Sequence, residues 1–175
     1  QAMAIYQNGM RVNESFGEVV QWDLVPDFAI HNMQVFTGGD PIFGQNAIGG
    51  AISMEMKNGF NFDGAKSTIS GGTYGRTNEV LEFGKSFDNY AVYLGANFNY
   101  DHGWREHSES YLQTVYGDFR WRDDNTELFV NMGQGFTDLR GNGAVPLTLM
   151  DLEGREAVYT YPDNTHNKNY YANFG

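Results

Sequence analysis

The chain has 175 residues, 22 of them acidic and 11 basic, which gives a formal net charge of −11. A charge of this sign opposes binding to nucleic-acid phosphates, so we expect no nucleic-acid partner. The absence of cysteine excludes disulfides, thiolate metal sites and cysteine nucleophiles. Aromatic residues are abundant although the mean hydropathy is polar, a combination typical of strands with one apolar and one wet face.

Both ends of the sequence are expected to lie inside a longer protein. The chain opens within an apparent strand over 2–7 and closes in another, with no initiating Met and no segment resembling a signal peptide. No apolar run approaches the roughly 18 residues of a membrane helix. A membrane role would therefore require a barrel of strands.

Residues 1–57 show short, mixed elements. Asn8-Gly9 is a dipeptide that favours a tight hairpin turn between two strands. A polar and aromatic loop over 13–22 follows, and Pro26 can then begin one helical turn that reaches residue 30. The strands expected in this region are 2–7, 10–12, 33–36 and 51–56.

The glycine-rich stretch 37–57 has the sequence TGGDPIFGQNAIGGAISMEMK. Glycine permits positive φ angles and close approach of one backbone to another. The stretch is therefore either a tightly folded loop packed inside something else or an ordinary turn-rich linker. Glycine motifs of this kind do not decide between the two.

After Gly64 the pattern changes to strands of about ten residues, the length that spans a membrane in a barrel. In the clearest strand, 90–100, Leu94 and Phe98 belong to a continuous apolar face, and the alternate residues are smaller or polar. Phe129 stands on the polar face of its strand. The six candidate strands are 66–73, 77–87, 90–100, 111–122, 126–136 and 169–175.

The connections between these strands alternate in length. Short turns over 86–89 and 122–125 contrast with long loops over 101–110 and 138–167. Outer-membrane barrels are built this way, with the short turns on the periplasmic side; 74–76 is then a short outer turn. A soluble β-sandwich is the alternative, because it would tolerate Glu79 and Lys85 on the same face as Leu81 and Phe83.

Several segments together carry a family resemblance. AIYQNGMRVNESFG over 4–17, WDLVP over 22–26, AIHNMQVF over 29–36, the glycine-rich stretch and the long strands resemble a TonB-dependent outer-membrane receptor. In that family a plug domain sits inside a barrel of about 22 strands. The resemblance implies a mostly β fold: residues 1–57 as the C-terminal part of the plug, and residues 58–175 as about six strands of an incomplete antiparallel transmembrane β-barrel.

The family's plug closes with a strand, Arg-Gly-Pro, Tyr-Gly and a Gly-Gly pair before a strand that ends in a basic residue. Here Phe43-Gly44 matches Tyr-Gly, Gly49-Gly50 matches the pair, and 51–57 matches the exit strand. TGGDP over 37–41 replaces Arg-Gly-Pro. The family's arginine helps to lock the plug to glutamates of the barrel wall, so the resemblance leaves the latch of this plug open.

The resemblance also implies a function and its partners. Such receptors reside in the bacterial outer membrane, in contact with its lipid, bind a scarce small-molecule nutrient, most commonly an iron–siderophore complex, and import it with energy from the TonB complex. Binding and gating are implied rather than catalysis, and no cofactor is expected. The rival interpretations are a passive porin-type channel, which would lack the mixed fold over 1–57, and a soluble carbohydrate-binding β domain.

The position of the loop over 13–22 corresponds to an outward apical loop of the plug. Five of its residues are candidate substrate contacts: Asn13, Glu14, Ser15, Phe16 and Trp22. The aromatic side chains would stack on a ligand and the polar ones would orient it; the alternative is that Phe16 and Trp22 only anchor the plug.

Two further candidates, Trp104 and Arg105, lie in the loop over 101–110 and would grip an anionic ligand or anchor the loop at the membrane interface. The acidic and imidazole groups of that loop include His102 and His107, whose spacing aligns them in no regular geometry. A solvated loop is favoured over a metal site. The chain contains no nucleophile elbow, phosphate-cradling loop or HExxH motif, so no catalytic residue is expected.

Overall fold

The computed structural model describes residues 3–14, 19–44, 47–160 and 163–175. The described residues form two β-sheets, one of four strands and one of six. Within these ranges no helix is long and apolar enough to cross a membrane.

The four-stranded sheet is mixed. Its strands are β1 (Met3–Gln7), β2 (Met10–Arg11), β3 (Ile30–Thr37) and β4 (Gly50–Met56), in the order β2-β1-β4-β3. β1 and β4 run parallel, and the other two pairs are antiparallel. Asn8 and Gly9 have φ values of 46° and 79°, which is the geometry of the hairpin turn predicted there.

Two single turns of 3-10 helix, Trp22–Leu24 and Asp27–Ala29, lead into β3. The second follows Pro26, where one helical turn was expected. A third turn, Pro41–Phe43, is capped by Asp40, whose carboxylate accepts a hydrogen bond from the backbone N–H of Ile42 at 3.0 Å. The aspartate of TGGDP therefore has a local structural role.

The glycine-rich stretch packs against β1 rather than hanging free. The Tyr6 hydroxyl donates a hydrogen bond to the Phe43 carbonyl at 2.7 Å, and Ala47 is buried with Ala4 and Ala51. Gly50 has φ 119°, and a Cβ there would lie 2.0 Å from the Phe36 carbonyl oxygen. No other residue fits that position without moving the backbone.

The six-stranded sheet, called the wall below, is an antiparallel meander in which each strand pairs with its sequence neighbours. A short helix, α1 (Leu147–Glu153), lies in the last connection. The strands of the wall are β5 (Gly64–Gly71), β6 (Thr77–Phe87), β7 (Tyr90–Asp101), β8 (Ser110–Arg122), β9 (Glu127–Gly141) and β10 (Asp163–Phe174).

The last two strands are longer than predicted. β9 continues to Gly141 instead of ending at 136, and β10 begins at Asp163 instead of 169, with Asp163 opposite Gly141. The long loop predicted over 138–167 is therefore shorter and contains α1. Residues 163–168 are polar on both faces, and Leu139 is the one large apolar residue of 137–141, so the alternation that identifies a strand is absent there.

The two faces of the wall have different chemistry. Leu94 is 50% exposed and Phe119 61% exposed on one face, whereas Tyr93, Tyr116 and Asp118 on the other face are fully buried. The buried face, called the inner face below, lies against residues 3–57. A two-sheet sandwich would bury Leu94 between sheets, and this packing is not observed for Leu94.

Charge on the outer face lies near the strand ends. Glu79 is the third residue of β6 and Lys85 the third from its end, with Leu81 and Phe83 between them. Lys85 also pairs with Asp63 at 3.1 Å. The short turns over 88–89 and 123–126 share one end of the wall, and the longer loops over 102–109 and 142–162 share the other, as the alternation of connection lengths predicted.

Candidate functional site

One row of residues crosses the inner face at mid-height and carries many of the contacts to residues 3–57. Cross-strand pairing places its members side by side. We call it the contact row: Lys66, Glu82, Gly95, Tyr116, Gly133 and Tyr171.

The ion pair of the contact row joins Lys57, directly after β4, to Glu82 on β6. The Glu82 side chain is 2% exposed and that of Lys57 is 17% exposed. Glu82 also accepts a hydrogen bond from the Tyr93 hydroxyl at 2.9 Å, and Lys57 donates another to the Phe28 carbonyl at 2.6 Å. Both charges are thus paired and hydrogen-bonded, which is the condition for burying them.

The hairpin turn of the four-stranded sheet is hydrogen-bonded to Tyr116, the residue of the contact row on β8. Asn8 donates to the Tyr116 hydroxyl at 3.1 Å and accepts from the backbone N–H of Met56 at 2.9 Å. The Tyr116 hydroxyl donates in turn to the fully buried Asp118 at 3.3 Å. Arg120 pairs with Asp118 at 2.9 Å and with Glu127 at 2.6 Å, so its guanidinium compensates the charge of the buried carboxylate and of a more exposed one.

Close approach of backbone and side chain completes the contact. A Cβ on Gly95 would lie 2.5 Å from Cε2 of Phe28, and one on Gly84 would lie 2.2 Å from the carbonyl oxygen of Phe62. Both glycines let residues of the first 62 positions settle directly on the strands.

A cavity of about 710 Å³ lies between residues 22–28 and the inner face of the wall. It is nearer to the end with the longer loops than the contact row is. Two of its lining atoms, Asn97 Oδ1 and Thr114 Oγ1, are buried and have no hydrogen-bond partner among the described residues. Asn97 and Thr114 face each other across β7 and β8. They lie two residues outward of the contact row, in what we call the cavity row: Val80, Asn97, Thr114, Gly135 and Asn169.

The predicted contacts of the apical loop lie in different places. Asn13 binds β1, accepting from the Ile5 N–H at 2.8 Å and donating to the Met3 carbonyl at 3.1 Å. Glu14 accepts from Gln21 at 2.6 Å. Both line a second cavity, of about 580 Å³, beside β10, whereas Trp22 is half exposed in the larger one. Ser15 and Phe16 lie outside the described residues.

Trp104 and Arg105 line neither cavity. Arg105 donates to the Gly143 carbonyl at 3.3 Å and to the Ala157 carbonyl at 3.0 Å, so it ties together the two long connections at the outward end. Trp104 is 51% exposed, with the Arg105 guanidinium 5.7 Å from its ring centroid. The substrate role of these seven candidates stays a prediction.

The loop with the imidazole groups is occupied by local contacts. Within the described residues no three His, Asp or Glu side chains are grouped to hold a metal ion. Glu109 pairs with Arg140 at 3.1 Å. A hydrogen bond from its own backbone, together with the positive charge of Arg140, lowers the pKa of the Glu109 carboxyl.

Several residues of the site were not singled out from the sequence: Asp23, Asp27, Glu82, Asn97, Thr114, Tyr116, Asp118 and Arg120. Strand alternation puts Glu82 on the opposite face from Leu81 and Phe83, so an inward charge was detectable. Its partner Lys57 was noted only as the basic end of the exit strand. The pairing itself depends on where the two sheets meet, which no local pattern encodes.

The chain matches no protein-family model and no curated protein. Solved structures are similar in fold. The open form of the ferric-catecholate import receptor Fiu from E. coli K12 superposes with a TM-score of 0.69 at 17% identity, over 99% of this chain and 29% of that one. FpvA of P. aeruginosa, bound to a heterologous pyoverdine and iron, gives 0.60 at 16% identity over 98% and 25%.

The siderophore receptor PiuA from Acinetobacter baumannii gives a TM-score of 0.55 at 16% identity, over 81% of this chain and 22% of that one. The chain thus spans less than a third of the length of these receptors. The resemblance to TonB-dependent receptors is confirmed in fold: a plug fragment followed by six antiparallel barrel strands.

Proposed function

We propose that the chain is part of a bacterial outer-membrane receptor that binds a ferric siderophore and imports it with energy from the TonB complex. Residues 1–57 are then the C-terminal part of the plug, and residues 58–175 are the first strands of the transmembrane barrel. The proposed role is to bind the siderophore and gate its passage, and no catalytic step is assigned to the chain.

One observation carries this proposal: a small mixed sheet rests on the polar inner face of a long-stranded wall whose other face is apolar and exposed. A passive porin-type channel would not need the mixed sheet or the buried pair of Lys57 and Glu82 that joins it to the wall. The fold shared with siderophore receptors supports the same choice.

The height of the apolar outer face matches that of the apolar band of a membrane barrel. The steps from Tyr90 to Tyr100 rise roughly 33 Å along β7, or about 25 Å at the usual tilt of barrel strands, the height of the apolar band in outer-membrane barrels. Aromatic residues lie at both limits: Phe87, Tyr90 and Trp121 at the end with the short turns, and Tyr100, Tyr111 and Phe136 toward the other. Such girdles mark the two membrane interfaces.

The test is iron uptake by cells with and without the full-length gene. Under iron limitation we expect the deletion strain to lose accumulation of at least one ferric siderophore, and a strain lacking TonB to show the same loss. Full uptake in the deletion strain, with induction of the gene by a sugar or vitamin instead of by iron starvation, would overturn the assignment.

A further inference from the structure

The larger cavity has an acidic balance of charge. Asp23 and Asp27 line it from the side of residues 22–28, and both are exposed. In the described part of the chain the remaining charged residue of the lining is Arg76, whose Nε lies 3.9 Å from a carboxylate oxygen of Asp101. The carboxylates therefore dominate the electrostatic potential of the cavity.

The wall side of the cavity offers hydrogen-bonding groups without charge. Thr114 is 1% exposed and Asn97 9% exposed, and Thr114 Oγ1 and Asn97 Oδ1 have no partner among the described residues. A buried polar atom without a partner costs free energy, typically about 1–3 kcal/mol, until something binds it. Because Asn97 Oδ1 accepts hydrogen bonds only, its missing partner is a donor.

The acidic balance is particular to the larger cavity, because three basic residues, Arg11, His166 and Lys168, line the second one together with Glu14. Arg11 Nε donates to Asn13 Oδ1 at 3.3 Å. The Lys168 ammonium lies 5.5 Å from the Phe136 ring and His166 Nδ1 lies 3.5 Å from Asp138. Phe136 and Asp138 belong to the outer face of β9, so these two basic groups point away from residues 3–57.

We propose that the cavity selects a neutral or cationic cargo rich in N–H and O–H donors, and that it disfavours anionic complexes. The inference rests on the proposed import function and narrows its substrate class. A ferric trihydroxamate fits, because three monoanionic groups neutralise one ferric ion. A ferric tris-catecholate does not, because three dianionic groups leave a net negative charge that Asp23 and Asp27 repel.

The test measures binding of three ferric complexes to the purified full-length receptor by calorimetry: a neutral trihydroxamate, the same ligand with a free ammonium group, and a tris-catecholate. We expect the first two to bind at least about tenfold more tightly than the third. The double variant Asp23→Asn/Asp27→Asn should raise affinity for the tris-catecholate by about tenfold and lower that for the ammonium ligand.

The matched control is Asp88→Asn/Asp124→Asn, which removes two exposed carboxylates at the end with the short turns and should leave all three affinities unchanged. On the wall, Thr114→Val should weaken binding of the trihydroxamate several-fold. Thr137→Val removes another buried hydroxyl without a partner among the described residues, outside the lining of the cavity, and should change nothing.

The outcomes separate the two levels of the proposal. Preferential binding of the tris-catecholate, or equal effects of the two double variants, overturns the selectivity and leaves the import function standing. Binding of none of the three complexes, together with unchanged iron uptake in the deletion strain, overturns the import function and the selectivity with it.

Discussion

The contact row and the cavity row lie on the same face of the same strands, two residues or about 7 Å apart, yet they meet residues 3–57 in opposite ways. In the contact row Glu82 is paired with Lys57, and Tyr116 is hydrogen-bonded to Asn8. In the cavity row Asn97 and Thr114 keep buried oxygen atoms without partners in the described residues. The contact row thus holds the described residues of 3–57, called the N-terminal segment below, whereas most of the cavity row borders a cavity.

The difference indicates how one face of the wall both attaches the N-terminal segment and leaves hydrogen-bonding groups available to a ligand. Full pairing makes the contact row costly to disrupt, because any single loss leaves a buried polar or charged group behind. Incomplete pairing in the cavity row reserves hydrogen-bonding capacity for something that is not part of the chain. At β9 the cavity row is covered by Leu24, which lies over Gly135. The residues of the row that line the larger cavity are therefore those of β6, β7 and β8, whereas Asn169 of β10 lines the second cavity.

The largest effect is expected from breaking the ion pair of the contact row. Lys57→Met leaves Glu82 buried with Tyr93 and the more distant Lys66 as partners, and should destabilise the attachment of the N-terminal segment by about 3 kcal/mol. Limited proteolysis of the full-length receptor in detergent would report the loss as faster cleavage within that segment.

Two controls sharpen this result. Lys66→Met removes a 59% exposed lysine that lies 3.7 Å from Glu82 and should cost less than about 1 kcal/mol. The double variant Lys57→Met/Glu82→Met should recover much of the stability, because apolar groups of similar volume replace the pair. Equal protease sensitivity of the two single lysine variants would remove the special role of Lys57.

A smaller effect is expected from adding a methyl group at Gly95, where the Phe28 ring packs directly against the strand. Gly95→Ala brings a methyl group within 2.5 Å of the Phe28 ring, so the ring or the strand must shift, at a cost of about 2 kcal/mol. Gly71→Ala is the control, because its Cβ would meet its nearest neighbour at 3.7 Å. The urea midpoint of the full-length receptor should fall for the first variant only; an equal fall for both would contradict the close packing.

Strand alternation was sufficient to predict most of the wall. The bounds of β6 were predicted without error, and those of β7 and β8 to within one residue, because apolar and polar residues alternate along them. β10 was predicted to begin six residues too late, since 163–168 is polar on both faces. Both rows of the inner face required the register between strands and the position of the N-terminal segment, and neither property is local in sequence.

A still smaller effect is expected from removing one hydroxyl of the contact row. Tyr116→Phe deletes the group that links Asn8 to Asp118, while the ring keeps its packing, so the cost should be about 1 kcal/mol. Urea unfolding of the full-length receptor measures it. An unchanged midpoint would mean that the hydrogen bond from Asn8 to Tyr116 contributes nothing to attachment.

The smallest effect is expected from removing one hydroxyl of the cavity row. This variant is also the sharpest test of the difference between the two rows. Thr114→Val removes a buried hydroxyl that has no partner among the described residues, and valine has nearly the same shape. No hydrogen bond among the described residues is lost and an unsatisfied polar group disappears, so the urea midpoint should stay level or rise slightly. A fall as large as that of Tyr116→Phe would show that the hydroxyl of Thr114 already stabilises the fold. Both rows would then serve to stabilise the protein, and the distinction between them would be wrong.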